Sequence, residues 1–503
     1  LDCDEARALE ARRFAGDEAR EWPAMQQAGR AIAAAVRLDF EEIGGFPAHG
    51  RVLVLVGKGH NGGDALIAAQ VLLATFPDAQ ADVVFAFGPR QSRPLAGRAW
   101  RDLSHECRGR VRAGGIDALA GWVAGGKGYS LCLDGLFGFQ FRPPLSAAVA
   151  GLIQQVNALP VAMRAAVDLP SGLSGQDDRH ATIFRADFTY ATGCVKTPVV
   201  NGLNAGWVGR LRYLDLGFFD DDAPETRLQV LTPGVLRPLA GWRAPKSDKR
   251  DYGHVLLVGG SRSYPGAILM AVQAALRSGA GLVTALVPES LAAAFAARAP
   301  EAMWVGWPET LKGGLATAGL PLLQDRLQRA NALVIGPGLG REPETLALAA
   351  RIVESSPVPL VIDADALQWD IVRAGTAPRV LTPHLGELKR ILEGENFYLT
   401  PAGREAVMVI KGRLTGVTLS GRGGYFSPFG GPVLARGGSG DLLAGMIGAL
   451  LAQTPDDAML AASRGVVWHG LAADALARTH GQVAVHTTQL LDHLPAALRV
   501  ALD

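Results

Sequence analysis

The chain has almost no charge imbalance: 49 Lys and Arg stand against 48 Asp and Glu, a formal net charge of +1 over 503 residues. So weak a field gives no general attraction to nucleic acid or to an anionic membrane, and any anion recognition has to be local. Cysteine is scarce. Cys3, Cys107, Cys132 and Cys194 lie far apart with no CxxC pair, which argues against a zinc site or a disulfide framework and predicts a reducing, cytoplasmic setting. No uninterrupted apolar run of about 18 residues occurs, so no membrane-spanning helix is predicted. The first residues are acidic and Arg-mixed rather than a basic lead into an apolar core, and a soluble chain is expected.

What the chain does have is apolar sequence punctuated by glycine. Apolar residues make up 49% and charged residues only 19%, and the length exceeds what one core usually covers, so two or more domains are expected. The most informative stretch is ARGGSGDLLAG, Ala435 to Gly445. Gly437, Gly438 and Gly440 let backbone amides approach an anion, and a helix beginning near Asp441 would add partial positive charge at its N-terminus. Leu442, Leu443, Met446, Ile447, Leu450 and Leu451 recur at helical spacing. An Asp at such a mouth repels phosphate, but it is well placed to take a proton from a hydroxyl beside that phosphate. An ordinary glycine turn with Asp441 as a first-turn helix charge reads from the same letters.

Asp4 to Arg37 reads as helix, broken once near Pro23, and as packing material. Arg51 to Leu73 then passes from a buried strand through GKGHNGGD to an apolar helix, the layout of a phosphate or nucleotide cradle. Gly57, Gly59, Gly62 and Gly63 permit tight turns, and Asn61 and Asp64 offer oxygens to a cation, to polar ligand groups or to free helix amides. The stretch lacks the Lys-Ser/Thr ending of a P-loop and the full spacing of a dinucleotide fingerprint, and a plain capped turn fits it as well. Strands expected at Ala81 to Gly88, Tyr129 to Asp134 and Ala162 to Leu169 alternate with helical stretches, the rhythm of a parallel sheet. Asp134 precedes GLFGF. Asp168 sits in VDLPSG, where Pro170 and Gly172 force a turn and Ser171 exposes a hydroxyl. Ligands of open α/β sheets bind beyond the strands' carboxyl ends, so these acids and the GKGHNGGD stretch are expected to converge, although either acid alone suits capping or a turn.

Two more strands fall within Asp187 to Phe218, after which the sequence turns charged and Pro-interrupted, placing a boundary near 225–245. Beyond it HVLLVGGSRSYPGA restarts the strand, glycine turn and helix pattern, with further strands at ALVIGPGLG, PLVIDADAL, RVLTPHLGE and AVMVIKGRLT. Lys411 and Thr415 can pair phosphates by charge and hydroxyl. His384 and Glu387 can touch a polar ligand, and Asp363 and Asp365 can assist a metal–phosphate site or cap the next helix, the commoner event.

These motifs, in this order over essentially the whole chain, resemble the bifunctional NAD(P)H-hydrate repair family. GGSRSYPGA, GPGLG, DADAL, TPHLGE, KGRLT and GGSGDLLAG match its dehydratase half, and GKGHNGGD, DGLFG and VDLPSG its epimerase half. The resemblance implies an α/β fold of two domains: a Rossmann-like three-layer αβα domain over 1–225, a linker over 226–245 and a ribokinase-like αβα domain over 246–503. It implies that one domain interconverts the R and S hydrates, NADHX and NADPHX, and that the other returns the S form to NAD(P)H using ADP. Mg²⁺ and K⁺ are the implied ions, and a homo-oligomer is expected. Carried over by position, Lys411, Gly412, Arg413, Leu414, Thr415 and Gly440 hold the adenine nucleotide, Ala267, Gly338, His384 and Asp441 contact the hydrate, and Asp441 is the base. In the first domain Asn61, Asp134 and Ser171 match potassium ligands. Substrate contacts fall to His60, Asn61, Gly62, Gly63 and Asp64, to Gly138, Phe139, Gln140, Phe141, Arg142, Pro143 and Pro144, and to Asp168 as acid or base at C6. The chain departs from the family at His60, Ala65, Gln70, Phe139, Gln140 and Arg436, and a bulky Phe139 is expected to narrow the substrate channel. A small-molecule kinase with a non-catalytic N-terminal binding domain uses the same Asp441 chemistry, and a binding scaffold is a third reading.

Overall fold

Runs such as RVLVLV and HVLLV carry no alternation of polar residues, which suits strands buried on both faces of a parallel sheet. A computed structural model describes residues 1–124, 126, 128–174, 181–219, 228–392, 397, 400–419 and 423–500. The chain divides into two units, Leu1–Thr226 and Arg227–Asp503.

The first unit is a parallel sheet of β1 (Arg51–Val56), β2 (Gln80–Phe85), β3 (Val111–Gly114), β4 (Tyr129–Gly135), β5 (Val161–Val167), β6 (Phe188–Thr192) and β7 (Arg210–Leu214), in the spatial order β3-β2-β1-β4-β5-β6-β7. Val52, Val54 and Val56 share a core with Ile32, Leu66 and Leu95, while Leu53 and Leu55 share another with Leu152, Ile153 and Val156. Helices therefore cover both faces, giving three layers. Strand order reverses between β1 and β4, which opens a crevice beyond their carboxyl ends.

The second unit holds β8 (Leu228–Val230), β9 (His254–Val258), β10 (Leu282–Pro288), β11 (Met303–Trp307), β12 (Ala332–Ile335), β13 (Leu360–Ile362), β14 (Arg379–Leu381), β15 (Ala406–Ile410), β16 (Thr415–Leu419) and β17 (Gly423–Ser427). Their order is β11-β10-β9-β12-β13-β14-β15-β16-β17-β8, and β16 runs antiparallel to both its neighbours. Val255 and Leu257 pack with Val272 and Leu442, Leu256 and Val258 with Leu348 and Ile352, again two covered faces. Here the order reverses between β9 and β12.

Three expectations change. The helical break lies at Ala15 and Gly16, both left-handed, and not at Pro23, which sits inside the helix Glu18–Phe40 behind its cap Asp17. Residues 228–230 of the expected linker form β8 on the edge of the second sheet, and a 3-10 helix follows at Pro233–Leu239. HNGGD is not loop but the opening of the helix His60–Thr75. Glycine is a poor helix former, yet a Cβ at Gly62 would crowd the Gly57 carbonyl and one at Gly63 would crowd the Met25 sulfur, so close packing outweighs propensity.

In ARGGSGDLLAG, Gly438 has φ 90° and precedes the helix Ser439–Gln453, which no side chain caps. Gly445 in that helix lies against the carbonyl of Ala271 in the helix Pro265–Arg277, whereas nothing stands within 4 Å of a Cβ at Gly437. Gly445→Ala should cost about 1–3 kcal/mol by overpacking and Gly437→Ala less than about 0.5 kcal/mol. Hydrogen exchange in the intact chain checks this: amides of 439–453 should exchange faster in the first variant only.

Candidate functional site

In the first unit the loops after β1, β4 and β5 meet. Gly57 abuts the Leu136 carbonyl so closely that a Cβ would collide with it. The Asn61 amide donates to the Val167 carbonyl at 2.8 Å and to that of Phe137 at 3.3 Å. Asp134 is buried at the end of β4 and accepts from the Ser171 hydroxyl at 2.7 Å, the Ser171 N–H at 2.8 Å and the Leu136 N–H at 3.3 Å. Burial still pushes its carboxyl up to about 6, and those neutral donors only moderate the shift. Asn61, Asp134 and Ser171, three loops apart in sequence, are thus gathered at one place.

Asp168 follows β5 with φ 68°, an uncommon conformation for a side-chain-bearing residue. Its Oδ1 is bonded to the Lys196 ammonium, and its Oδ2 is buried without a partner. Burial raises the Asp168 carboxyl, and Lys196 opposes the rise. Burial would lower the Lys196 ammonium, but the Asp168 charge outweighs it and holds that pKa above the ordinary value. Lys196 also donates to the Thr192 carbonyl at 3.2 Å and lies 5.1 Å from the centre of the Phe139 ring. Phe139 therefore serves as a buried platform for the ammonium.

Asp168, Phe139 and Asn61 line a cavity of about 540 Å³, within the usual range for small-ligand sites, which Lys196, Asp134 and Ser171 do not reach. His60, Asn61, Asp64, Gly138, Phe139, Gln140, Phe141, Arg142, Pro144 and Asp168 all reach it, together with Glu10, Lys58 and Arg93. Gly62, Gly63 and Pro143 do not, and the first two are packing contacts instead. His60 stands 3.5 Å from Glu21, with its pKa lowered by burial. Burial raises Asp64 well above the carboxylate range and pushes Glu10 up to about 7. Glu10 and Lys196 escaped the sequence reading. Lys196 ends the apolar run DFTYATGCVK, a signal that was present, whereas Glu10 is one of several charges in a helix read as packing.

In the second unit Asp363, Thr382, His384 and Lys411 stand just beyond β13, β14 and β15. The Lys411 ammonium lies 3.1 Å from Asp363 and 4.0 Å from Glu387, and 3.2 Å from where a Gly440 Cβ would be. Asp363 is buried and accepts from the Thr382 hydroxyl at 2.6 Å. It makes no cap bond, so the commoner fate expected for it does not occur. Asp365 instead accepts from the Gly340 N–H at 3.2 Å and from Arg341 at 2.8 Å. Asp441 is the third residue of the Ser439 helix. Burial, then the charge of Asp363, pushes its carboxyl up to about 6, with Lys411 pulling the other way.

His384 caps the helix Leu385–Leu392: its Nδ1 accepts from the N–H of Gly386 at 3.0 Å, and Glu387 accepts from the His384 N–H at 2.9 Å. The His384 Nε2 lies 3.5 Å from the Glu387 carboxylate. Gly338, with φ 66°, sits against Ala267, and its carbonyl accepts from the Ser261 hydroxyl at 2.9 Å. Gly412, Arg413 and Leu414 link β15 to β16, and Thr415 opens β16. The atypical Arg436 donates to carbonyls of Val433, Gln482, Val483 and Val485, binding the glycine stretch to a distant loop. His469 was not foreseen: it is buried, and burial pushes it down to about 4.

A family model described as NAD(P)H-hydrate dehydratase matches residues 255–496, and one described as YjeF-related protein N-terminus matches residues 23–198. The bifunctional NAD(P)H-hydrate repair enzyme of Gloeobacter violaceus is 38% identical over 494 residues, 93% of this chain and 91% of that protein. The enzyme of the same name from Escherichia coli is 33% identical, covering 88% of this chain and 84% of its own length. A crystal structure of a ribokinase-like superfamily protein from Enterococcus faecalis is 29% identical with a TM-score of 0.46, over 56% of this chain and 98% of that one.

Breaking a buried ion pair from one side leaves a charge without its counterion, at about 3–5 kcal/mol, whereas removing both partners is far cheaper. Asp168→Asn should therefore destabilise the first unit by about that much, and adding Lys196→Met should recover most of the loss. A double-mutant cycle from urea unfolding measures the coupling. Single variants each within about 1 kcal/mol of the parent would contradict the pairing.

Proposed function

The chain belongs to the bifunctional NAD(P)H-hydrate repair family and carries its two activities, epimerisation of the R and S hydrates and dehydration of the hydrate to NAD(P)H; from that premise we propose which residues do the work. The observation that carries the dehydratase assignment is Asp441, poised near pH 6 at the uncapped start of a helix, beside Gly440 and Lys411. Asp441 takes the proton of the C6 hydroxyl, the oxygen attacks the β-phosphorus of ADP, and AMP leaves. The C6–O bond then breaks and its electron pair departs with phosphate, while the N1 pair drives into the ring and C5 releases a proton, restoring the dihydropyridine. Helix amides and Lys411 carry the phosphate charge. Gly412, Arg413, Leu414 and Thr415 receive the rest of the nucleotide, and Ala267, Gly338 and His384 Nε2 receive the hydrate.

Among the described residues no group of three His, Cys, Asp or Glu side chains suits a metal ion. Mg²⁺ bound with the nucleotide would be met by a carboxylate such as Asp365. When bound, the ion neutralises phosphate charge.

In the first unit Asp168 acts as acid or base on the oxygen borne by C6 through its unpartnered Oδ2, with Lys196 fixing the carboxylate. The donor set of Asn61, Asp134 and Ser171 fits K⁺: one buried carboxylate, held by neutral donors only, lacks a cation, the Ser171 hydroxyl adjoins it, and Asn61 is bonded to carbonyls of the same loops. Bound there, K⁺ would supply the missing positive charge and tie the loops after β1, β4 and β5 together. The four cysteines are free, which suits the cytosol, and among the described residues no helix is long and apolar enough to cross a membrane.

Asp441→Ala should slow dehydration about 10²–10⁴-fold by removing the base and leave epimerisation unchanged. Loss of a first-turn acid should cost only about 0.3–1 kcal/mol of stability. The base must be ionised to act, so wild-type kcat/KM for dehydration should fall as pH drops through about 6. Dehydration within about tenfold of wild type in the variant, or a wild-type profile flat from pH 5 to 8, would contradict the assignment.

A further inference from the structure

Asp168 Oδ2 is not the sole carboxyl oxygen without a partner in the cavity of the first unit. Glu10 projects from the helix Cys3–Phe14, half buried, and makes no hydrogen bond or ion pair among the described residues. It lines the 540 Å³ cavity that Asp168 also lines, and it lines as well an adjoining chamber of about 210 Å³ shared with Asp64 and His60. A carboxylate at the protein–water boundary ordinarily turns to solvent or finds an Arg; Arg93 lines both chambers, Arg142 only the larger and Arg7 only the smaller, and none of them forms an ion pair with Glu10 among the described residues. Glu10 and Asp168 reach the cavity from distant parts of the chain, one from the first helix and one from the end of β5, and Asp64 lines it as well. Asp168 has Lys196 as counterion; Glu10 has none in contact.

We infer that Glu10 is the second acid–base group of epimerisation, serving one face of the hydrated ring while Asp168 serves the other. This rests on the reading that the first unit is the epimerase. Glu10 in its acid form donates a proton to the C6 hydroxyl oxygen, the C6–O bond breaks, water leaves with the bonding pair, and the N1 pair forms an N1=C6 bond. Asp168 takes a proton from a water on the opposite face as that water's oxygen bonds to C6, and the N1=C6 pair returns to N1. The product is the other epimer, one proton has passed from Glu10 to Asp168, and its return through cavity water resets the site. No oxidant or reductant is needed. Burial pushes Glu10 up to about 7, so both forms are populated at neutral pH, which is what a group acting alternately as acid and base needs. Asp64, which burial also raises well above the ordinary carboxylate value, lines both chambers.

The test is conversion of the purified R hydrate to S by the intact protein in H₂¹⁸O, followed by chromatography with mass detection. Wild type should place a solvent oxygen at C6 with each inversion. Glu10→Gln should lower kcat about 10²-fold or more with KM within about threefold, and Glu10→Ala should be partly restored by added formate, which a packing role would not allow. A Glu10→Gln kcat within about threefold of wild type would overturn the inference. So would a Glu10→Ala defect that formate leaves untouched, or wild-type inversion without ¹⁸O uptake. Wild-type conversion no faster than the spontaneous rate would instead sink the epimerase reading itself, which separates the two failures.

Discussion

The burial of carboxylates directly after parallel strands is the constraint on which both units are built. Asp168 follows β5 and Asp363 follows β13, each almost wholly excluded from water, and each is bonded to a lysine that ends a later segment, Lys196 or Lys411. In a low dielectric neither charge is tolerable without the other, so each pair binds the end of one strand to a part of the chain tens of residues away. One lysine does not neutralise the acids around it. Glu10 and Asp64 in the first unit and Asp441 in the second are left with raised pKa values, Glu10 at about 7 and Asp441 at about 6. The fold thus produces acids poised near neutrality as a by-product of how its charges are buried.

Both reactions act on a single hydroxyl-bearing carbon, and the difference between the sites follows from what faces that carbon. The epimerase cavity is walled by Phe137, Phe139 and Phe141 and edged by carboxyl groups, a setting for moving protons and water. In the dehydratase site an uncapped helix start and a lysine face the same kind of acid, which adds a place for phosphate. On the proposed reading, the same hydroxyl is inverted by protonation in one unit and removed by phosphorylation in the other.

Strands and their polar ends were legible in the sequence, because a doubly buried parallel strand is a continuous apolar run and its last residue marks where ligands can sit. That is why Asp134, Asp168 and Lys411 were singled out, while Asp441 was read from the glycine cluster that opens onto a helix. The start of the His60 helix was not, since two glycines argue for a loop and only their contacts with Gly57 and Met25 explain a helix. Glu10 could not be placed because the crossover that brings the first helix to Asp168 leaves no local pattern, whereas Lys196 closes an apolar run whose polar end was passed over. Pro23 misled for a related reason: the left-handed Ala15 and Gly16 end the first helix before proline can. The fate of Asp363 turned on a lysine 48 residues further on, which no capping rule anticipates.

The most direct measurement gives the intact protein an R and S hydrate mixture with ADP and Mg²⁺ and follows both isomers, NAD(P)H and phosphate by chromatography. The account predicts that both isomers are consumed completely, faster than spontaneous interconversion allows, with one AMP and one inorganic phosphate released per NAD(P)H restored. A stable phosphorylated product, or an R isomer that persists at its spontaneous rate, would contradict it.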